Sequence, residues 1–458
     1  MLERLFELRD RETTVAREVR GGITTFMAMA YIILLNPIIL GGAHDVTGAK
    51  LTIAQLTTST ALAAAVSTLL MAFVGNAPFA LAAGLGLNAV VAYQAAPFMT
   101  WAQAMGLVVL EGFVIIVLAV TGLRTLIMNS IPLALKHAIS VGIGMFITLI
   151  GLVDAGFVTP GKGTPVQLGA GGHLMGWPVT VFCFGLLLMI VLFVRKTPGA
   201  ILISIIAATI VAVLVNSLTT IDQKTWGVVR PRVPERFVAA PDFGLVGQFD
   251  LFGGFATAGA VTASVVLFTL VLSGFFDAMG TIIGVSDEAG LVSPQGQVPR
   301  LGRILTIDGI GGVLGGVTSS SANTVFVESA AGVGEGARTG LANVVTGILL
   351  AITLLFTPLA AVVPAAAAAP ALVLVGALMM TQSRNVPWSD LEVAIPAFLT
   401  IALMPFTYSI TNGVGAGVIS YTLIKAAVGK FKEIPWLLWV VSAIFLAYFG
   451  IVAIEGLI

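Results

Sequence analysis

The sequence predicts an all-α polytopic membrane protein of about fourteen transmembrane segments, arranged as two inverted repeats of seven. Three observations carry that prediction. The 458 residues are 58% hydrophobic and only 10% charged, with a mean hydropathy of +1.05, whereas average soluble domains carry about 25% charged residues. Apolar runs near the roughly 20 residues that cross a bilayer recur along the whole chain. Two shorter, interrupted segments fall at matching positions of the two halves.

The elements follow in order. Residues 1–20 are charged and amphipathic and read as a cytoplasmic or interfacial lead-in, with no cleavable signal peptide apparent. The first repeat occupies 21–216, with runs at about 22–40, 51–74, 102–121, 127–152, 177–194 and 199–216, and a short segment at about 79–95. A Pro- and Gly-containing connection, 217–259, divides the chain. The second repeat, 260–430, has runs at about 260–284, 304–317, 340–357, 363–381, 391–408 and 411–427, and a short segment at about 323–336. The hydrophobic stretch within 431–458 falls outside this symmetry, so it reads as an interfacial helix or as an extra span.

Orientation follows from the basic residues. With the N-terminus inside, inner loops hold Arg124, Arg195, Lys196, Arg300, Arg303, Arg338, Arg384, Lys425, Lys430 and Lys432. The outer connection also carries Lys224, Arg230, Arg232 and Arg236, but long loops weigh little in the positive-inside rule. Both termini are expected in the cytoplasm, with the chain in the plasma membrane. Basic and acidic residues balance at 22 each, which removes the electrostatic case for nucleic acid. The lone Cys183 excludes a disulfide framework. The three His form no metal cluster, no Gly-rich stretch continues into a phosphate-cradling Gly-Lys-Ser/Thr, and no nucleophile–base pair points to an enzyme.

The two interrupted segments are the natural site. Phe79-Ala-Leu81 reads as extended backbone ahead of a Gly-rich half-helix bearing Asn88, and Thr324-Val-Phe-Val327 as extended backbone ahead of a half-helix that starts at Glu328. Non-helical backbone at membrane depth is tolerated only inside protein or along a cavity. Paired broken segments of this kind build midplane sites in secondary transporters. Asp277 lies deep in an apolar run, where an isolated Asp costs at least about 2.5–3.5 kcal/mol on insertion scales, so it reads as a functional group and the first choice for the coupling proton. Glu328 offers acceptor oxygens to the N–H donors of a ligand and Asn88 both donor and acceptor. Free N–H groups at the half-helix start are expected beside Glu328. Phe276, Phe326 and Phe26 are the candidate stacking faces, and Thr25 a further candidate contact. Glu111, mid-segment, reads as a structural hydrogen bond or ion pair.

Four stretches carry a family resemblance: Gly21-Gly-Ile-Thr-Thr-Phe-Met-Ala-Met-Ala-Tyr-Ile-Ile-Leu-Leu-Asn-Pro37, Ala83-Gly-Leu-Gly-Leu-Asn88, Phe276-Asp-Ala-Met-Gly-Thr-Ile-Ile-Gly284 and Val327-Glu-Ser-Ala-Ala-Gly-Val333. Over about residues 10–430 the chain resembles the adenine/guanine/hypoxanthine permeases, the AzgA-like branch of the nucleobase–cation symporters, related to the nucleobase–ascorbate transporters. The resemblance implies a core domain (segments 1–4 and 8–11), a gate domain (5–7 and 12–14), and two short antiparallel strands meeting near the midplane. It further implies proton-coupled uptake of purine bases by alternating access, with no cofactor beyond the proton, and a homodimer. Asn88, Asp277 and Glu328 match its purine-binding positions, with Glu328 sharing proton coupling with Asp277. The alternative reading is a related carrier for uracil, xanthine or an anion, and behind it a passive channel.

Overall fold

The computed structural model describes residues 2–122, 131–161, 163–219, 221–291 and 298–455. The first repeat holds helices α1 (Leu2–Phe6), α2 (Val15–Met29), α3 (Ile32–Gly42) and α4 (Ile53–Leu70), then strand β1 (Leu81–Ala83) leading into α5 (Leu85–Val90). It continues with α6 (Trp101–Thr121), α7 (Leu133–Asp154), a small hairpin of β2 (Val158–Thr159) and β3 (Gln167–Leu168), α8 (Trp177–Val194) and α9 (Ala200–Thr219). The second repeat holds α10 (Ala260–Glu288), α11 (Leu301–Thr318), β4 (Asn323–Val325) leading into α12 (Ser329–Gly334), and α13 (Gly340–Thr353). It closes with α14 (Ala365–Met380), α15 (Leu391–Phe406) and α16 (Ile410–Ala427), and α17 (Trp436–Glu455) follows.

Among the described residues, nine helices are long and apolar enough to cross a membrane. The half-helices α5 and α12 are too short to do so, and α15 is a shorter apolar helix. The first segment is itself two helices, because the regular pattern stops at Ala30-Tyr31 and Pro37 removes one backbone donor from α3. Side-chain caps set several other ends. Thr100 and Gln103 form a reciprocal capping box at the start of α6, and Ser409 accepts from the Asn412 N–H at the start of α16.

Helices α2–α6 and α10–α13 pack on one another, and α7–α9 pack with α14–α16, the two groups expected as core and gate. The core is held by close backbone approach. Gly112 of α6 lies against Gly309 and Val313 of α11, where an added Cβ would come within 2.4 Å of the Val313 nitrogen. Small residues at such crossings let helices meet where lipid gives no hydrophobic drive. The long connection is docked rather than loose. Asp250 N–H donates to Ala102, Gly247 N–H to Val317 and Ala239 N–H to Leu355, which ties it across the ends of the core helices.

Several expectations are corrected here. Helix α2 begins at Val15, capped by Thr14, so the end of the expected 1–20 lead-in is the first turn and more of segment 1. The first strand is Leu81–Ala83, two residues later than expected, and the β2–β3 hairpin was not anticipated. Residues 127–130 of the expected fifth run, and Arg124, lie outside the described residues. The last helix packs along α16. Thr422 pairs with Ser442 at 2.8 Å, while Gly415 lies against Phe445 and Phe449, so α17 runs antiparallel to α16. It therefore packs on the second repeat as a partner of α16.

Candidate functional site

Strands β1 and β4, one from each repeat, pair antiparallel in the middle of the core, with Leu81 opposite Val325, Ala82 opposite Thr324 and Ala83 opposite Asn323. All six residues are buried, so every polar group of this short sheet needs a protein partner. The partners come from the surrounding helices. Thr68 of α4 bonds to Leu81, Asn343 of α13 donates to the carbonyls of Ala77 and Phe79, and Ser329 accepts from the Ala80 N–H at 3.0 Å. On the other strand, Asp308 of α11 accepts from the Thr324 hydroxyl at 2.9 Å and the Val325 N–H at 3.0 Å. Asn323 donates to Ser67 of α4.

The sheet aims its two half-helices away from each other, and the side chains of interest flank it. Glu328 is the N-cap of α12, and its carboxylate accepts from the Tyr31 hydroxyl at 2.5 Å. Tyr31 is fully buried at the break between α2 and α3. Asn88, fully buried on α5, donates to Asn36 of α3 at 3.0 Å, and Asn36 in turn donates to Thr60 and to the Ser320 carbonyl. The Asn88 side-chain oxygen is buried and accepts no hydrogen bond from the described residues. Thus one segment, Tyr31–Asn36, touches both broken segments, while Asn88 and Glu328 share no direct hydrogen bond.

Asp277 lies mid-helix on α10, solvent-accessible and within electrostatic reach of Glu328. Phe326 is buried between β4 and Glu328. Phe26 is half-buried on α2, packed against the core. The side chain of Phe276 lies outside the described residues, although its backbone is part of α10. Thr25 is buried with its hydroxyl against Gly332, at the crossing of α2 and α12. The expectation of bare N–H groups beside Glu328 meets a correction: Ser329 N–H donates to Phe326 and Ala330 N–H to Val327, closing the tight first turn of α12. Glu111 is buried between Gly274 and Gly312 with one oxygen unpartnered, so neither expected partner for that oxygen, a hydrogen bond or an ion pair, is present among the described residues.

Tyr31, Asn36 and Asp308 are the polar residues that sequence reasoning did not single out. For Asp308 the signal was available, since an acid within a span marks itself. Chemically, the arrangement offers an accessible acid, a carboxylate oriented by a phenol, and an amide oxygen awaiting a donor. A flat, uncharged ligand edged with N–H and acceptor atoms fits such a set.

Residues 16–415 match the model of the Permease family. The chain is 36% identical over 455 residues to the guanine/hypoxanthine permease PbuG of Bacillus subtilis (strain 168), covering 98% of this chain and 99% of that one. It is 35% identical over 448 residues to the adenine permease AdeP of Escherichia coli (strain K12), covering 97% and 95%. Among solved structures, the transmembrane domain of a cyanobacterial bicarbonate transporter, BicA, aligns with a TM-score of 0.62 at 17% identity, over 88% of this chain and 97% of that one. That last likeness concerns the fold alone.

Proposed function

The chain belongs to the Permease family, within its adenine/guanine/hypoxanthine branch, and from that premise we propose that it takes up purine nucleobases by proton symport. It is a multi-pass membrane protein and a transporter rather than an enzyme. The observation that supports the reading most is the pairing of β1 with β4, beside which Glu328 is held by its phenol partner Tyr31 within electrostatic reach of the accessible Asp277.

In this reading Tyr31 occupies one oxygen of Glu328 and leaves the other to accept N–H donors from the base edge. Asn88 meets a donor of the base with its free oxygen, directly or through a water. Phe26, Phe276 and Phe326 are proposed to contact the ring faces, and Thr25 to act through the α2–α12 crossing. Asp277 carries the coupling proton, with Glu328 titrating beside it as a pair. Base and proton each favour the conformation that binds the other, which is what couples their movement. The core then moves against the gate to expose the site alternately at the two faces. The protein is proposed to lie in the plasma membrane with its N-terminus in the cytoplasm, as a homodimer.

The test is uptake of labelled adenine, guanine and hypoxanthine into proteoliposomes under an imposed pH gradient. Accumulation that follows the gradient, is competed by unlabelled purines and is lost in Glu328→Ala supports the reading. Accumulation in Glu328→Ala equal to that of the parent would end the site assignment, and indifference to the gradient would end the proton coupling.

A further inference from the structure

Beyond the ligand site, the seam between the two groups of helices is bridged by aromatic rings at one end. Toward the face opposite the N-terminus, Tyr93 stands five residues past Asn88, in a π-helical turn over Val91–Ala95. Such turns interrupt helices mostly where function needs a displaced side chain. Its ring meets Phe146 of α7 edge-on, with centroids 6.4 Å apart, and Tyr408 of the α15–α16 turn at 5.6 Å. Phe146 and Tyr408 are themselves 5.2 Å apart. Tyr93 belongs to the core and the other two to the gate, so the triad closes the seam with interlocking rings. Beside it, the Gln94 side-chain oxygen accepts from both the backbone N–H and the hydroxyl of Thr411, at the first turn of α16. Thr411 reaches on to Thr269 of α10 at 3.3 Å.

Tyr408 holds its place under strain. Its φ is 53°, a left-handed conformation that bulky side chains avoid and that structures retain mainly at functional sites. Toward the N-terminal face α10 and α12 carry exposed residues beside the site. Asp277, Gly280, Ile283 and Gly284 of α10 are exposed, as are Val327, Ala331 and Gly334 around α12. A Cβ added at Gly280, Gly284 or Gly334 would meet nothing within 4 Å. The preceding stretch of α10, Leu270–Phe275, is buried.

We propose that Tyr93, Phe146 and Tyr408 form the outer gate of this permease, closed here in an inward-open conformation, with the Gln94–Thr411 contact as its latch. The proposal rests on the alternating-access reading above and adds which residues must part for the site to face outward. Opening separates the three rings and breaks the Gln94–Thr411 contact.

The test uses Ser273→Cys in a Cys183→Ala background. Ser273 is buried on α10, facing Gly86 of the core where α5 meets Ile143 of the gate. In right-side-out vesicles a membrane-impermeant maleimide reaches it only through the outer gate. Slow labelling is expected in that parent and in Tyr93→Phe, which keeps the ring. Labelling about tenfold faster or more is expected in Tyr93→Ala and in Tyr408→Gly, as the outward-open population rises. Glycine adopts the φ of Tyr408 freely, so that variant removes the ring without adding backbone strain. Equal rates in all four proteins, or fast labelling already in the parent, overturn the gate. Purine binding measured on the same vesicles separates the two claims: no binding in any of them would sink the transport reading, whereas the labelling rates report the gate regardless of ligand.

Discussion

Tyr31 and Glu328 are joined by a 2.5 Å hydrogen bond that links the break in the first segment to the cap of the tenth. The phenol fixes which carboxylate oxygen is left to a ligand. In the proposed reading, that makes Tyr31 a positioning residue for the Glu328 carboxylate that meets the substrate.

Tyr31→Phe keeps the buried ring and removes only this donor. A hydrogen bond to a charged group is worth about 1.5–3 kcal/mol, so the KM for purine uptake is expected to rise about tenfold or more, with a smaller change in kcat. An unchanged KM in initial-rate assays would show that Glu328 is oriented by other means.

Asn36 satisfies three buried groups, on Asn88, Thr60 and Ser320. Asn36→Ala leaves at least two of them bare, at about 1–3 kcal/mol each, and is expected to lower the unfolding temperature in detergent. Asn88→Ala strands only one acceptor, on Asn36, and is expected to lose uptake with a smaller loss of stability. The comparison of thermal midpoints with uptake rates checks the order; a larger midpoint loss in Asn88→Ala would contradict it.

Gly112→Ala forces a methyl against the Val313 nitrogen and the Gly309 carbonyl, both backbone atoms that cannot turn aside. Overpacking of this kind costs about 1–3 kcal/mol. The variant is expected to unfold at lower temperature, whereas Gly122→Asn, where a side chain has open space and the left-handed φ suits Asn, should differ little.

Asp45, in the loop between α3 and α4, is buried, which by itself would raise its pKa. Hydrogen bonds from the Thr47 hydroxyl and from the Ala49, Trp101 and Thr47 N–H groups outweigh that and hold its carboxyl below the ordinary range. A folded-state pKa below the unfolded one gives stability that is fully present above about pH 4 and lost as pH falls through the folded value. Asp45→Asn is therefore expected to unfold at lower temperature than the parent at neutral pH. The gap should narrow in acid below about pH 4, and a gap independent of pH would refute the assignment.

The place of Glu328 at the start of α12 was legible because the small, Gly-rich stretch after it suits only a short helix between two apolar runs. The pairing partner of that stretch was legible from Asn88 and the glycines before it. Tyr31 was hidden because the helix breaks at Ala30-Tyr31 without a Gly or Pro to mark the place, inside a run that reads as one helix. Asn36 was hidden for the same reason, and its role depends on Ser320, far away in sequence. The first turn of α12 closed on itself because two N–H groups found carbonyls three residues back, a local choice that spacing does not reveal. The course of α17 was not readable because its sequence is apolar on every side and its partners are set by α16.

Strand β1 finds its hydrogen-bonding mate only in β4, on the far side of the long connection. During synthesis, the third segment must therefore wait with unmated backbone until the tenth has left the ribosome. The first half is committed to the membrane before it can be finished, so severing the chain within 220–259 should yield two fragments that mature only when made together.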